Sequence, residues 1–216
     1  MAIVKDGIEY YVNDEEIIIC GVEDRHISVL RIPSHINRFP VVSIERDVFQ
    51  NMTELKRVEL PHTLETIHNH AFADCPNLVS VYCDSPDFMI SGEAFRNCRN
   101  LEIFQVKGVV NIQASAFSSC IGLKSFEGKI ASVAKNSFAN CFNLESLTFA
   151  EEMYRFHGEA FVGCHNLKNM FFLGSGVVFD GMQNFPMRDV SIKCSKNSNV
   201  AELAYQGYNV TVRTYL

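Results

Sequence analysis

Cysteine is the residue type in this 216-residue sequence that could most readily do chemistry, and there are eight of them. Five recur at nearly equal intervals: Cys75, Cys98, Cys120, Cys141 and Cys164. Zinc sites usually bring together close pairs such as C-x-x-C, which this sequence lacks. Disulfides are disfavoured because stacked cysteines point their Cβ atoms in parallel and five cannot all pair. We therefore interpret the series as small buried hydrophobic residues, with Cys20, Cys83 and Cys194 unassigned.

The other candidates for chemistry do not form a recognisable catalytic motif. His68 and His70 could hold a metal weakly, but no third ligand is evident, and a solvated surface explains them better. The sequence contains no G-x-S-x-G, no P-loop and no G-x-G-x-x-G. It therefore predicts a protein that is not an enzyme and that has no catalytic residue, cofactor or metal site.

The cysteines belong to a larger repeat that must be explained by the fold. Six phenylalanines are separated by 23, 23, 22, 21 and 23 residues, namely Phe49, Phe72, Phe95, Phe117, Phe138 and Phe161. A leucine follows each of them by six residues, and an apolar residue precedes each by five. A seventh unit begins with Val177 and Met182 and loses register near Pro186. A period of this length is typical of a solenoid.

Each repeat can be divided into two kinds of local structure. The stretch 71–78 places apolar groups at i, i+3 and i+6, which suits short helical turns with one buried edge. The alternation in Arg57–Leu60 has the period of two expected of a strand, which Pro61 ends. The sequence therefore predicts one strand per repeat, with parallel strands stacked at about 4.8 Å.

The unit L-x-x-V-x-L-P-x-x-L-x-x-I-x-x-x-A-F-x-x-C-x-x-L, matched by residues 55–78, resembles the BspA-type leucine-rich repeat. The resemblance covers roughly residues 30–190. It implies an α/β repeat fold: a right-handed solenoid with a parallel concave sheet and short helical or 3-10 turns on the convex side. It also implies surface attachment or binding of host proteins. The fourth unit departs from the pattern, since Phe126 is followed by Gly128.

We expect a single leucine-rich-repeat domain over 1–216, with an N-terminal cap and lead-in over 1–43, about six to seven repeats over 44–190 and a C-terminal cap over 191–216. The segments 8–12 and 17–20 read as a hairpin that covers the first repeat. Ser198 and Gly207 have the positions expected of the N-terminal and C-terminal caps of a short helix. Apolar and polar residues alternate over residues 209–213, which predicts a last strand.

Composition excludes several classes of protein. With 47% hydrophobic and 20% charged residues the chain is not disordered, and a net charge of −6 argues against a nucleic-acid partner. No apolar run is long enough for membrane insertion. The first residues carry Lys5, Asp6 and Glu9 where a signal peptide would be apolar, so the chain as it stands is expected in the cytoplasm. The family resemblance instead implies the cell surface, and both locations stay open.

The remaining place for function is the outward face of the concave sheet. We predict that it binds a protein or peptide through residues that lie between the buried positions: Arg57, Glu59, Tyr82, Ile103, Gln105, Glu127 and Phe171. An alternative interpretation of Phe171 is that it packs beneath the C-terminal cap and does not face a ligand. The alternative function is that of a structural spacer or adhesin segment of a cell-surface protein.

Overall fold

The chain forms a parallel β-solenoid, seen in a computed structural model that describes residues 2–185 and 189–213. Strands alternate along the chain with tight turns, and helical structure in the described residues is confined to short 3-10 segments. The strands of the first half are β1 (Ile3–Lys5), β2 (Ile8–Asn13), β3 (Glu16–Val22), β4 (Val29–Arg31), β5 (His35–Ile36), β6 (Phe39–Ile44), β7 (Arg57–Leu60), β8 (Thr66–Ile67), β9 (Ser80–Cys83) and β10 (Asp87–Ile90). Those of the second half are β11 (Ile103–Ile112), β12 (Ser125–Val133), β13 (Ser146–Phe149), β14 (Arg155–His157), β15 (Asn169–Phe172), β16 (Val178–Asp180), β17 (Ser191–Ser195) and β18 (Val210–Arg213).

The predicted parallel sheet is present, and we refer to it as the first ladder. It runs through β4, β7, β9, the start of β11 and the start of β12, and then through β13, β15, β17 and β18. Within it, buried side chains such as Val58 and Leu60 alternate with Arg57 and Glu59, which face outward. This is the period of two that the sequence predicted.

The prediction of one strand per repeat is wrong, because a second parallel ladder exists. It joins β3, β6, β8, β10, the end of β11, the end of β12, β14 and β16. The apolar residue five positions before each phenylalanine, such as Ile67 or Ile90, is the last inward-facing residue of a strand in this ladder. Two to four residues are too few to show a clear alternation in the sequence.

The turns at the phenylalanines form a third stack of hydrogen bonds. The N–H of Phe49 donates to the carbonyl of Ala71 at 2.8 Å, and Phe72 donates to Ala94 at 2.8 Å, with the same pattern in later repeats. The residues two positions before and after most of these phenylalanines have positive φ. They include Asp47, Asn51, Asp74, Asn97, Asn136 and Asn140, and asparagine and aspartate tolerate this conformation best among non-glycine residues. In the sixth repeat the turn is a 3-10 helix, Gly158–Phe161.

The corner between the two ladders accounts for the unequal repeat lengths. It occupies residues 61–65 in one repeat and 84–86 in the next, whereas β11 and β12 pass through the corner without interruption. These two strands belong to the repeats of 22 and 21 residues. The shorter repeats therefore lack one or two residues at the corner, compared with the repeats of 23. Gly108 makes the continuous path of β11 possible, since a Cβ there would lie 1.9 Å from the carbonyl oxygen of Pro86.

Two columns of aromatic rings fill the core. The repeat phenylalanines are stacked, with ring centroids 5.0 Å apart for Phe49 and Phe72 and 5.3 Å apart for Phe95 and Phe117. Phe104 and Phe126 form a second stacked pair that meets the first column edge to face. Both geometries are favourable for aromatic quadrupoles, so each ring helps to orient its neighbours.

The predicted terminal elements are present at both ends. Strands β2 and β3 form the antiparallel hairpin, and β3 continues into the second ladder by pairing with β6. At the other end, the 3-10 helix Asn199–Gln206 begins after Ser198, whose side chain accepts from the N–H of Val200. It ends at Gly207, which has a φ of 83°, and β18 follows. A further 3-10 helix covers Met182–Asn184; the register loss near Pro186 lies outside the described residues.

Candidate binding face

The outward side chains of the first ladder form a surface that we call the open face. The backbone of its strands is paired with the neighbouring strands, so the open face offers side chains rather than free peptide groups. Ladder pairing brings six of the seven predicted site residues together on adjacent strands. They are Arg57 and Glu59 on β7, Tyr82 on β9, Ile103 and Gln105 on β11, and Glu127 on β12.

The N-terminal part of the open face is organised around one carboxylate. Glu59 accepts from the Nε atoms of two arginines, from Arg57 at 2.8 Å and from Arg31 at 3.0 Å. The Arg57 guanidinium also lies over the ring of Tyr82, with Cζ 4.5 Å from the centroid. Such a cation–π contact is attractive and holds a long side chain against the sheet. Tyr82 therefore presents a half-buried ring beside a fixed positive charge.

The central part combines an apolar residue with small and polar neighbours. Ile103 is half-buried and pairs in register with Ser80 on one side and Ser125 on the other. Gln105 and Glu127 are exposed and occupy the next row of the ladder. The Ser125 hydroxyl donates to the Glu127 carboxylate at 3.0 Å. The small serines leave the side of the Ile103 side chain open to a ligand.

Phe171 lies in neither of the two rows that hold the other site residues. Glu127 pairs with Gln105, but the pairing of β12 with β13 resumes at Lys129 and Thr148, so the ladder is offset by two residues there. Phe171 pairs with Thr148 and Lys193 beyond this offset. Its ring is half-buried under the ammonium group of Lys193, 4.8 Å from the centroid. The ring is thus flanked by the C-terminal strand β17 and still has an exposed part.

Positive side chains outnumber negative ones among the described residues of the open face. The cations are Arg31, Arg57, Lys107, Lys129 and Lys193, and the anions are Glu59, Asp84 and Glu127. The whole chain, in contrast, has a net charge of −6. The open face is therefore the locally positive surface of an acidic protein.

The repeated cysteines have a role that the sequence did not reveal. Each thiol donates to the carbonyl oxygen of the phenylalanine of the preceding repeat, for example Cys75 to Phe49 at 3.1 Å and Cys120 to Phe95 at 3.0 Å. Burial raises the pKa of the Cys164 thiol to about 12. Burial also raises the pKa of Cys98, Cys120 and Cys141, so these four thiols are protonated donors and not nucleophiles.

No cluster of three or more histidine, cysteine, aspartate or glutamate side chains suited to a metal ion occurs within residues 2–185 and 189–213. His70 instead lies between two carboxylates, with Nδ1 3.4 Å from Asp47 and Nε2 3.3 Å from Glu93. Asn77 donates to the main-chain carbonyl of Thr53 at 2.7 Å.

A comparison with protein families decides what kind of solenoid this is. The BspA type leucine-rich repeat region, in six copies, matches residues 26–129 and 88–185. The chain belongs to the BspA-type leucine-rich repeat family. The resemblance noted on residues 55–78 is thereby confirmed. The fold is the expected right-handed leucine-rich-repeat solenoid, in which the first ladder forms the parallel concave sheet.

Two solved leucine-rich repeat structures, from T. pallidum and Bacteroides ovatus, have the same fold at low sequence identity. The leucine-rich repeat protein of T. pallidum is 16% identical with a TM-score of 0.60, and the match covers 100% of this chain and 99% of that one. A Bacteroides ovatus leucine-rich repeat protein is 18% identical with a TM-score of 0.50, covering 99% of this chain and 68% of that one. A leucine-rich cell surface protein of Faecalibacterium prausnitzii is 14% identical with a TM-score of 0.48, covering 100% and 94%. No protein with a curated description matches the sequence.

The described part of this BspA-type chain has no helix whose length and apolar character would allow it to cross a membrane.

Proposed function

We propose that this BspA-type solenoid is a non-catalytic module that binds a protein or peptide on its open face. The observation that carries the proposal is the group formed by Arg57, Tyr82 and Ile103 on three adjacent strands, in which Tyr82 lies one row of the ladder away from the other two. Tyr82 and Ile103 offer partly exposed apolar surface, and Arg57 is held against the tyrosine ring. Tyrosine and arginine are enriched at the residues that dominate binding energies of interfaces.

The charge of the open face indicates the chemistry of the partner. Lys129 and Lys193 form no ion pair with the described residues, and the two arginines beside Glu59 share a single carboxylate. A partner segment with acidic side chains would gain attraction from these cations, whereas a basic segment would be repelled. We therefore propose a ligand that combines acidic residues with an apolar side chain.

The experiment starts from peptides selected against the intact protein from a random library displayed on phage. Their affinities for the purified protein are measured by fluorescence anisotropy. The variant Tyr82→Ala/Ile103→Ala/Phe171→Ala is expected to bind at least about tenfold more weakly, since it removes three anchors. The selected peptides are expected to be acidic, and their affinity should fall with salt.

A matched control uses exposed residues outside the open face. The variant Tyr154→Ala/Val178→Ala removes two side chains that are exposed at 55% and 62%. Both residues lie at the second ladder and not on the open face. This variant should bind as the unmodified protein does. Equal affinity of the open-face variant, at an unchanged melting temperature, would overturn the proposal.

The alternative role, a spacer or adhesin segment at a cell surface, is kept as a second proposal. It is supported by membership of the BspA-type family and by the longer Bacteroides ovatus chain, of which the match covers 68%. Antibody labelling of intact source cells, compared with permeabilised cells, tests the location. Labelling only after permeabilisation would refute the surface role.

A further inference from the structure

A cavity of about 400 Å³ lies at the N-terminal end of the second ladder, away from the open face. Its floor follows one row of the sheet, since Tyr11 pairs with Ile18 and Ile18 pairs with Ser43. Glu45 and His68 directly follow the ends of β6 and β8 and form part of the wall. The cavity thus exists because the N-terminal hairpin packs beside the first strands of the ladder.

Glu45 supplies the negative charge in this cavity. Its Oε1 accepts from the hydroxyl of Tyr11, and the two oxygens are 2.6 Å apart. That hydrogen bond to the carboxylate raises the pKa of Tyr11 to about 12, so the tyrosine stays a neutral donor. Among the described residues, no lysine, arginine or histidine forms an ion pair with Glu45. Arg46 also lines the cavity, but its Nε lies 3.4 Å from Asp47 and is engaged there.

An unpartnered hydroxyl adds a second and independent observation. Ser43 is 8% exposed, and its Oγ is buried without a hydrogen-bond partner. Buried polar atoms in folded proteins nearly always have a partner, so an exception calls for an explanation. Ser43 is one of the residues that line the cavity, so a ligand there would meet this hydroxyl after a change of the χ1 rotamer.

These features together select a ligand. The cavity offers a carboxylate oxygen without a cationic partner and a serine hydroxyl that can accept, while Ile18 supplies an apolar wall. We propose that the cavity binds a primary alkylammonium group, with the ammonium on Glu45 and Ser43 and the methylene stem along Ile18. A lysine side chain and a small free amine both have this chemistry.

The probes separate the two sources and test the charge. Amide resonances of the ¹⁵N-labelled intact chain are followed during titration with Nα-acetyl-lysine methylamide, with n-butylamine and with the neutral isostere Nα-acetyl-norleucine methylamide. Saturable shifts of Tyr11, Ser43 and Glu45 are expected with the lysine derivative. Equal binding of butylamine assigns the site to free amines as well, and binding of the lysine derivative alone assigns it to lysine within a chain.

The variants test the carboxylate directly. Glu45→Gln should weaken binding by about tenfold or more, because a charge-assisted hydrogen bond is lost. Glu65→Gln is the matched control, since Glu65 is exposed and lies outside this cavity. Raising the salt concentration should also weaken binding to the unmodified protein, which needs no variant to fold. Norleucine binding as tightly as lysine, unchanged affinity in Glu45→Gln, or no binding of either amine would overturn the proposal.

Discussion

The thiol of Cys98 donates a hydrogen bond to the main-chain carbonyl of Phe72, with Sγ and the oxygen 3.1 Å apart. Both residues are fully buried, and the phenylalanine belongs to the preceding repeat. The same contact joins Cys141 to Phe117 at 3.2 Å and Cys164 to Phe138 at 3.0 Å. The column of thiols therefore links consecutive repeats. It also supplies a hydrogen-bond donor to main-chain carbonyls in the buried core.

Replacing Cys98 by alanine is expected to destabilise the protein by about 1 kcal/mol more than Cys194→Ala. Both thiols are fully buried, but Cys194 makes no hydrogen bond to the part of the chain that the structure describes. The difference isolates the unpaired carbonyl of Phe72 from the lost packing. Urea unfolding of both variants measures it, and equal losses would show that the thiol contributes only volume.

The buried thiols make the free energy of unfolding depend on pH in the alkaline range. Burial raises the pKa of Cys83 to about 11 and that of Cys164 from its ordinary value near 9 to about 12. Because the unfolded chain releases these protons first, their contribution to the free energy of unfolding is intact below about pH 9 and is lost as the pH rises toward 12. Tyr11, with a pKa raised to about 12, acts in the same direction.

We therefore expect the free energy of unfolding to fall steadily from about pH 9 to about pH 11, as measured by urea unfolding at each pH.

Thiol reagents at neutral pH should reach the repeat cysteines only after unfolding, while the partly exposed Cys20 reacts in the folded protein. Rapid labelling of all eight thiols in the folded protein would contradict this account.

Gly108→Ala is expected to be strongly destabilising, by roughly 2 kcal/mol or more, because the new Cβ would collide with main-chain atoms and force the strand to move. The ideal Cβ position is 1.9 Å from the carbonyl oxygen of Pro86. Gly176→Ala is the control, since no atom lies within 4 Å of a Cβ there. Melting temperatures of the two variants should separate clearly, and similar values would refute the close approach at the corner.

Ser43→Ala is expected to stabilise the protein by about 1 kcal/mol, because it removes a buried hydroxyl that has no partner. The matched substitution Ser85→Ala should destabilise it, since the buried Ser85 hydroxyl donates to the carbonyl of Leu64 at 2.7 Å. Urea unfolding in buffer free of amines provides the measurement. A loss of stability in Ser43→Ala would mean that the hydroxyl is satisfied.

Much of the fold could be predicted from spacing alone. The intervals between Phe49, Phe72 and Phe95 define the repeat, and the alternation in Arg57–Leu60 predicts a strand whose outward residues the structure places on one face. The second ladder was missed because a strand as short as Thr66–Ile67 shows no period. Its existence depends on hydrogen bonds to residues more than twenty positions away, such as Thr66 with Met89.

The site was predictable to the level of a face but not of its details. Periodicity identified Tyr82 and Phe171 as outward-facing, yet the pairing of Lys129 with Thr148 places them on opposite sides of an offset. The position of the Arg57 guanidinium over the Tyr82 ring depends on strand pairing, which local sequence does not encode. The Tyr11–Glu45 cavity likewise joins residues 34 positions apart.

The sequence by itself determined the repeat, the buried positions and the family, because each is a local pattern of apolar side chains that recurs every 21–23 residues. Only the tertiary structure decided the number of ladders, their offset, and which polar groups have partners. Hydrogen bonds and ion pairs form between repeats, and their geometry depends on how the corners stack. Single substitutions at Cys98, Gly108 and Ser43 can therefore test what the repeat pattern alone leaves open.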